Sequence, residues 1–100
     1  MYISRNLEQW QAFIQLLHQA FQEGKAEEVL MMLLTPDERN ALGLRVQIIA
    51  QLLRKDIPQR EIQHNLNTSA ATITRGSNAL KSIDPEFLAW VDAILNKKSD

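Results

Sequence analysis

A chain of 100 residues, 45% of them hydrophobic, has room for one domain and one core. With only three glycines and three prolines, the composition excludes a disordered or collagen-like chain and favours a compact helical one. There is no cysteine, which excludes disulfides and cysteine metal sites, and no apolar run approaches the roughly 18 residues that span a bilayer. We therefore expect a cytoplasmic protein with no membrane partner.

The formal net charge is only −1, but the charge is unevenly distributed. Residues 1–53 and residues 82–100 each sum to −2, whereas residues 54–81 hold five basic and two acidic side chains. A local basic patch attracts phosphate groups regardless of the charge of the whole chain. Residues 54–81 are therefore the segment where nucleic-acid contact is expected.

Apolar spacing predicts two helices before residue 35. Residues 4–22 carry an apolar seam at spacings of three and four, as in a coiled coil. The seam consists of Leu7, Trp10, Ile14, Leu17 and Phe21. Gly24 is suited to end this helix, and a short apolar helix is expected from Glu27 to about Leu34.

The third helix has a well-marked start. Thr35 can cap it, Pro36 suits its first position, and Glu38 completes a capping box. The helix is expected to continue to about Arg54. Gly43, in its interior, indicates close packing against another helix.

The third quarter of the chain has the pattern of a helix-turn-helix DNA-binding element. A short helix is predicted from Gln59 to about Leu66, and the polar residues 67–69 form a turn. Ser69 can cap a second helix, which we expect from Ala70 to about Ser82.

One more helix ends the chain, with Asp84 as its cap, Pro85 at its first position, and an end near Asn96. No stretch of the sequence alternates between apolar and polar residues as a strand does. We therefore predict an all-α fold of about six helices.

Arg45 lies in the middle of the apolar face of the third helix. At roughly 100° per residue, five apolar side chains fall within about 60° of it. These are Ala41, Leu42, Ile48, Ile49 and Leu52. An unpaired buried guanidinium is unfavourable, so Arg45 needs an ion pair, a path to solvent, or a pocket with a flat or carboxylate-bearing ligand. The residues alone leave these alternatives open.

Arg75 and Gly76 lie about a turn beyond the part of a helix-turn-helix where base contacts concentrate. A mid-helix glycine costs about 1 kcal/mol relative to alanine and usually marks the close approach of a helix or a ligand. One alternative is that Gly76 allows tight helix packing while Arg75 contacts a DNA phosphate. The other is that a ligand other than DNA lies against Arg75 and Gly76.

With these residues identified, the chain resembles the tryptophan repressor family, most closely from about Met32 to Lys81. The resemblance rests on Met-Leu-Leu-Thr-Pro-Asp-Glu-Arg from Met32, Ala-Leu-Gly-Leu-Arg-Val from Ala41, and Ala-Thr-Ile-Thr-Arg-Gly-Ser-Asn from Ala71. It is looser toward the C-terminus, and the N-terminal helix matches in pattern rather than in residues.

The resemblance implies an intertwined homodimer that acts as a transcriptional repressor. It would bind L-tryptophan as a corepressor and then palindromic operator DNA of tryptophan-related genes, with two heads set to match successive major grooves. Residues 1–100 would form one helical domain. Residues 1–55 and 84–100 would be its dimerisation core, and residues 56–83 its helix-turn-helix head. This docking geometry follows from the resemblance alone.

The resemblance also implies a corepressor site. The indole would lie between Arg45 and Arg75, Arg75 would pair with the ligand carboxylate, and Gly76 would leave room for the indole edge. Three residues would come from the other subunit, with backbone carbonyls facing the ammonium group: Met32, Leu34 and Thr35. Ala79 stands where the best-known members have a serine whose hydroxyl helps hold the ligand ammonium group. The loss of that hydrogen bond would weaken ligand binding by on the order of 1 kcal/mol.

Further departures from the family concern DNA. Gln63 replaces a lysine, residues 67–69 replace a glycine-containing turn, and Ala70 replaces a larger apolar residue. The helix predicted from Ala70, the second of the helix-turn-helix, begins with small side chains that cannot make bidentate hydrogen bonds to bases. Direct recognition of bases by this helix should therefore be sparse. The predicted DNA-contacting residues are Gln59, Arg60, Ala70, Ala71, Thr72, Thr74, Asn78 and Lys81. Thr72 and Thr74 have solvent-facing or capping roles as alternatives, and Ile73 and Leu80 are expected in the core.

Other functions have less support in the residues. His18 and His64 lie on separate predicted helices without further ligands at metal spacing or a nucleophile pattern, so we predict neither an enzyme nor a metal site. The alternative is a DNA-binding regulator of the same fold, without tryptophan dependence or with another effector, which Ala79 favours. A helix-turn-helix used for protein contact is a third possibility.

Overall fold

The structure is a computed structural model that describes residues 2–97, with side chains from Asn6 onward. Within that range it consists of six α-helices and contains no strand. They are α1 Tyr2–Gln22, α2 Ala26–Leu33, α3 Pro36–Arg54, α4 Gln59–Leu66, α5 Ala70–Leu80 and α6 Pro85–Leu95. The all-α prediction is confirmed, and every helix boundary lies within about two residues of its prediction. Residues 98–100 of the predicted dimerisation core lie outside the described residues.

The chain divides into two compact units, residues 1–39 and residues 40–100. In the first unit, α1 packs against α2. The turn between them contains Gly24, whose φ of 71° places it in the left-handed region that favours glycine. The Lys25 N–H donates to the Ala20 carbonyl at 2.7 Å and closes the end of α1. The predicted stop at Gly24 is confirmed.

The capping box at the start of α3 is confirmed. The Thr35 N–H donates to Glu38 Oε1 at 2.8 Å, and the Glu38 N–H donates to Thr35 Oγ1 at 3.2 Å. Two N–H groups that have no partner inside the helix are thereby satisfied by side chains. Arg39 Nη1 donates to the Leu34 carbonyl at 3.0 Å, which fixes the connection from α2.

In the second unit, α4 and α5 pack together as the predicted helix-turn-helix. Ile62 of α4 and Ile73 of α5 are 0% exposed, and Ile48 of α3 is 2% exposed. Asn67, with φ 51°, ends α4 in the left-handed conformation that asparagine tolerates, and Ser69 caps α5. Three apolar side chains of the second unit are therefore buried without a partner subunit.

The end of α6 is fixed to α3. Asn96 Nδ2 donates to the Ala50 carbonyl at 2.8 Å and to Asp92 Oδ1 at 2.7 Å. At the start of α6, Asp84 occupies the cap position and Pro85 follows it, as predicted, although the Asp84 side chain makes no capping hydrogen bond. The Asp84 carbonyl is nevertheless the first acceptor of the helix, from the Leu88 N–H at 3.0 Å.

Two expectations differ from the structure. α5 ends at Leu80 rather than near Ser82, because Lys81 and Ile83 donate to carbonyls three residues back and tighten the last turn. A Cβ added at Gly43 would meet no described atom within 4 Å outside the backbone of its own helix. The prediction of close helix packing at Gly43 is therefore wrong for contacts within one chain.

Candidate functional site

Helices α3 and α5 enclose a cavity of about 580 Å³. Its lining comes from Arg45, Ile48 and Ile49 of α3 and from Thr72, Arg75, Gly76 and Ala79 of α5. The volume lies in the range of about 300–1,000 Å³ that is typical of small-molecule sites. Its walls combine aliphatic side chains with two guanidinium groups, so it could accept a ligand with a flat apolar part and a negative group.

The two arginines that the sequence singled out line this one cavity. Arg45 extends from α3 and Arg75 from α5, and both side chains are exposed. The salt bridges among the described residues join other side chains, Lys25 with Glu23 and Arg54 with Asp56. The structural ion pair considered for Arg45 thus has no partner among the described residues. Both guanidinium groups are accessible to a ligand.

Gly76 lies where α5 approaches α3. A Cβ added there would stand 3.1 Å from Ile48 Cγ2 and 3.7 Å from Leu52 Cδ1. Contacts of 3.1 Å are tighter than ordinary carbon packing, and Ile48 is fully buried, so it has little freedom to move. The predicted close approach at Gly76 is therefore confirmed as a helix-packing contact, made at the cavity wall.

The hydroxyl group of Thr72 links the cavity to the start of α5. The Thr72 N–H donates to Ser69 Oγ at 3.2 Å, which makes Ser69 the predicted cap. Thr72 Oγ1 lies 2.9 Å from Ser69 Oγ and accepts from Arg75 Nη2 at 3.4 Å. Thr72, predicted as a DNA contact, is thus half-buried and bonded to the cap and to a cavity arginine. These contacts agree with the alternative role given to Thr72 in the sequence analysis, that of a threonine at the helix cap.

Three faces of α5 have three different environments. At roughly 100° per residue, the exposed residues Ala70, Ala71, Thr74, Asn78 and Lys81 fall within about 100° of one another. The cavity residues of α5 occupy the next face, and the buried Ile73 and half-buried Leu80 occupy the third. The core assignment of Ile73 is confirmed. The same short helix carries an exposed polar face and a cavity wall.

Further predicted DNA contacts lie at the start of α4. Gln59 and Arg60 are both exposed, and Arg60 is one of the five basic residues of the segment 54–81. His64, in the last turn of α4, is exposed as well. With the exposed face of α5, these residues provide positive charge and hydrogen-bonding groups of the kind that contact phosphate.

Three predicted corepressor residues lie in the first unit, around the connection from α2 to α3. Met32 is exposed, Leu34 is half-buried, and Thr35 forms the capping box. They are not among the residues that line the cavity. Their assignment depends on the resemblance, which assigns them to the partner subunit, and it stays a prediction.

Ile48 and Ile49 line the cavity but were absent from the predicted site. Both lie on the apolar face that surrounds Arg45 in the helical projection, so the signal was present. The projection alone could not separate cavity-lining from core residues, because both share that face. Ser69 was predicted only as a cap. Its hydrogen-bonded link through Thr72 to Arg75 depends on side-chain conformations, which cannot be predicted from the spacing of residues in the sequence.

Within residues 2–97, no group of three or more His, Cys, Asp or Glu side chains is close enough to hold a metal ion. Within the same residues, no helix combines the length and the apolar character needed to cross a bilayer.

Comparison with known proteins gives consistent results over nearly the whole chain. A sequence model of the family described as Trp repressor protein matches residues 8–95. The chain is 64% identical to a Trp operon repressor homolog of Pasteurella multocida, over 99% of this chain and 97% of that one. It is 69% identical to a homolog of the same name from Actinobacillus succinogenes, over 91% and 90% of the two chains. A third, from Mannheimia succiniciproducens, is 65% identical over 97% and 96%.

Proposed function

Because the chain belongs to the Trp repressor protein family, we propose that it is a DNA-binding transcriptional repressor with L-tryptophan as its corepressor. It is a transcription regulator and not an enzyme. Its targets are operators of genes for tryptophan biosynthesis or transport, and it acts in the cytoplasm. The name Trp operon repressor homolog, carried by its relatives, supports this proposal.

The observation that carries the proposal is the shared cavity of Arg45 and Arg75. Two guanidinium groups from different helices, without carboxylate partners among the described residues, suit a ligand that offers an aromatic ring and a carboxylate. L-Tryptophan has both. In the proposed complex its indole lies between the two guanidinium planes, its carboxylate pairs with Arg75, and its ring edge lies against Gly76 and Ala79.

The cavity and the DNA-facing surface share α5, which provides a way for the ligand to control DNA binding. The cavity face carries Thr72, Arg75 and Ala79, while the exposed face carries Thr74, Asn78 and Lys81. A ligand that fills the space between α3 and α5 sets the angle of α5. The angle of α5 then decides whether its exposed face fits the major groove.

A homodimer completes the proposed function. The described apolar seam of α1 leaves Leu7, Trp10, Ile14 and Phe21 exposed, and α6 leaves Phe87, Trp90 and Ile94 exposed. Large apolar side chains exposed along a helix in this way are typical of a subunit interface. Two-fold symmetry gives two heads and accounts for a palindromic operator. Met32, Leu34 and Thr35 of the partner subunit contribute backbone carbonyls to the ligand ammonium group.

DNA binding is proposed to depend mainly on phosphate contacts. Gln59, Arg60 and Lys81 are exposed, and the small side chains at the start of α5 allow the helix to approach the bases closely. Because released counterions then supply much of the free energy, the binding constant should fall steeply as salt concentration rises. A binding constant insensitive to salt would count against this surface.

Calorimetry and a mobility shift test the proposal together. L-Tryptophan should bind and should promote binding to palindromic operator duplexes. Arg45→Ala and Arg75→Ala should each weaken tryptophan binding by about tenfold or more, since each removes a charged contact. Arg54→Ala is the matched control, because Arg54 is an exposed arginine of α3 that pairs with Asp56 and lies off the cavity. It should leave tryptophan affinity within about twofold.

The outcomes separate the alternatives. No binding heat with L-tryptophan at millimolar concentration, with DNA binding retained, would identify a regulator of the same fold that uses another effector. Equal loss of DNA binding in both arginine variants, with and without ligand, would make the arginines structural.

A further inference from the structure

Ser69, Thr72 and Arg75 form a hydrogen-bonded row along the first two turns of α5. Their spacing of three residues puts them on neighbouring positions of the helix surface. Ser69 Oγ and Thr72 Oγ1 are 2.9 Å apart, and Arg75 Nη2 lies 3.4 Å from Thr72 Oγ1. The row therefore runs from the N-cap of α5 to a cavity arginine.

The direction of the hydrogen bonds follows from what each group can donate. A guanidinium has no acceptor, so Arg75 donates and Thr72 Oγ1 accepts. A hydroxyl that accepts from a charged donor becomes a better donor itself, which favours donation from Thr72 to Ser69. Ser69 Oγ also accepts the Thr72 N–H at 3.2 Å. Ser69 thus holds both the backbone and the side chain of Thr72.

We propose that Ser69, acting through Thr72, is a positioning residue for Arg75 and thereby favours ligands that carry a carboxylate. The inference rests on the proposed function, in which Arg75 receives the carboxylate of L-tryptophan. Ser69 does not line the cavity, so its effect must pass through Thr72.

The physical basis is pre-organisation. Arg75 is exposed and has no carboxylate partner among the described residues, so little besides Thr72 restricts its side chain. An arginine already held in its binding orientation loses less rotamer freedom when a ligand arrives. It also keeps further N–H groups available for a carboxylate, because a guanidinium has five. Arg45 makes no side-chain hydrogen bond to a described residue, so the two cavity arginines differ in this respect.

The first test compares two ligands by calorimetry. L-Tryptophan carries the carboxylate, whereas L-tryptophanamide keeps the indole and the ammonium group and has a neutral amide instead. Thr72→Val keeps the shape of the side chain and the Ser69 cap but removes the link to Arg75. It should weaken L-tryptophan binding by about three- to tenfold and L-tryptophanamide binding by less than about twofold.

Ser69→Gly separates positioning from capping. Glycine is nearly as good a cap as serine, so α5 should still begin at the same residue. The variant should lower L-tryptophan affinity by about two- to fivefold, and should have no further effect in a Thr72→Val background. Ser77→Ala, which removes another serine hydroxyl from α5 without a hydrogen bond to a described residue, should leave both affinities unchanged. Equal weakening of both ligands by Ser69→Gly would overturn the proposal.

A second measurement needs no ligand. In the ligand-free protein, ¹⁵N relaxation of the arginine Nε–H groups should show Arg75 to be more ordered than Arg45, and Thr72→Val should remove the difference. Arg75 as mobile as Arg45 in the unsubstituted protein would contradict the inference. If Ser69→Gly makes Arg75 as mobile as Arg45 but L-tryptophan does not bind to the unsubstituted protein, the proposed function fails while the positioning role of Ser69 stands.

Discussion

The N-terminal unit, residues 1–39, and the proposed helix-turn-helix head, residues 56–83, differ in how far their apolar side chains are buried within one chain. The head buries Ile62 and Ile73 completely within its own chain. In the N-terminal unit the buried apolar side chain among the described residues is Ala20, whereas Trp10 is 60% exposed and Phe21 65% exposed. The helix-turn-helix therefore buries apolar side chains within one chain, while the long helix of the N-terminal unit needs another surface to cover its seam.

This difference suits the two roles proposed for these regions. A helix-turn-helix that already buries apolar side chains in one chain can change its angle without unfolding, which suits an element that a ligand repositions. An apolar helix with an uncovered seam is suited to permanent association, because covering it provides much of the free energy of folding.

The largest expected effect is from Trp10→Asp. Because Trp10 is 60% exposed in its own chain, a charge at this position acts mainly on the proposed dimer, where each of the two copies would bury it. The dimer dissociation constant should rise by roughly 1,000-fold or more, equivalent to about 4 kcal/mol. Sedimentation equilibrium measures it.

Gln15→Asp is the control for Trp10→Asp, since Gln15 is exposed on α1 away from the seam and gains the same charge. It should leave the dissociation constant nearly unchanged. A Trp10→Asp protein that remains as dimeric as the parent would remove the seam from the interface.

Ile73→Ala tests the apolar burial of the head. Ile73 is 0% exposed, so the substitution leaves a cavity and should lower the free energy of unfolding by about 3 kcal/mol. Urea unfolding measures the loss, and hydrogen exchange should show faster opening first in α4 and α5. Ile83→Ala is the matched control, because Ile83 is exposed, and it should cost less than about 1 kcal/mol. Equal costs would mean that the head has no core of its own.

The sequence predicted the parts of the structure that depend on neighbouring residues. The capping box of Thr35 and Glu38, the stop at Gly24 and the cap at Ser69 each involve partners within five residues, and each is confirmed. Helical projection also predicted that Arg45 lies among apolar side chains, and Ile48 and Ile49 flank it in the cavity.

The sequence was less informative where the outcome depends on contacts between helices. Gly43 and Gly76 are both mid-helix glycines, and both were predicted to mark close packing. A Cβ added at Gly76 would lie 3.1 Å from Ile48 Cγ2, but one added at Gly43 would meet no described atom within 4 Å outside its own helix backbone. Helix propensity is the same at the two sites, so only the arrangement of α3 and α5 separates them.

Gly76→Ala should have a smaller effect than Ile73→Ala. Alanine gains about 1 kcal/mol in helix propensity, but the added Cβ meets the buried Ile48, and overpacking costs about 1–3 kcal/mol. We expect a net loss of about 1 kcal/mol in thermal or urea unfolding, together with weaker tryptophan binding, since α5 must move away from α3.

Gly43→Ala is the matched substitution. Because no described atom of the chain would lie close to the added Cβ, Gly43→Ala should stabilise α3 by up to about 1 kcal/mol. If instead it weakens dimerisation, a partner helix lies against Gly43 and the predicted close packing is between subunits. If Gly76→Ala instead stabilises the protein, Ile48 can move to accommodate the added Cβ, and the packing between α3 and α5 is less rigid than the burial of Ile48 indicates.

The smallest expected effect concerns Ala79, on the cavity wall of α5. Ala79→Ser adds one hydroxyl that can accept a hydrogen bond from the ligand ammonium group, and a hydrogen bond to a charged group contributes about 1 kcal/mol or more. L-Tryptophan should therefore bind about three- to tenfold more tightly, while indole-3-propionate, which lacks the ammonium, should bind unchanged. Calorimetry with both ligands separates a specific hydrogen bond from a general change in the cavity. If the affinity for both ligands rises equally, the serine acts by shifting α5 and not by a hydrogen bond to the ammonium group.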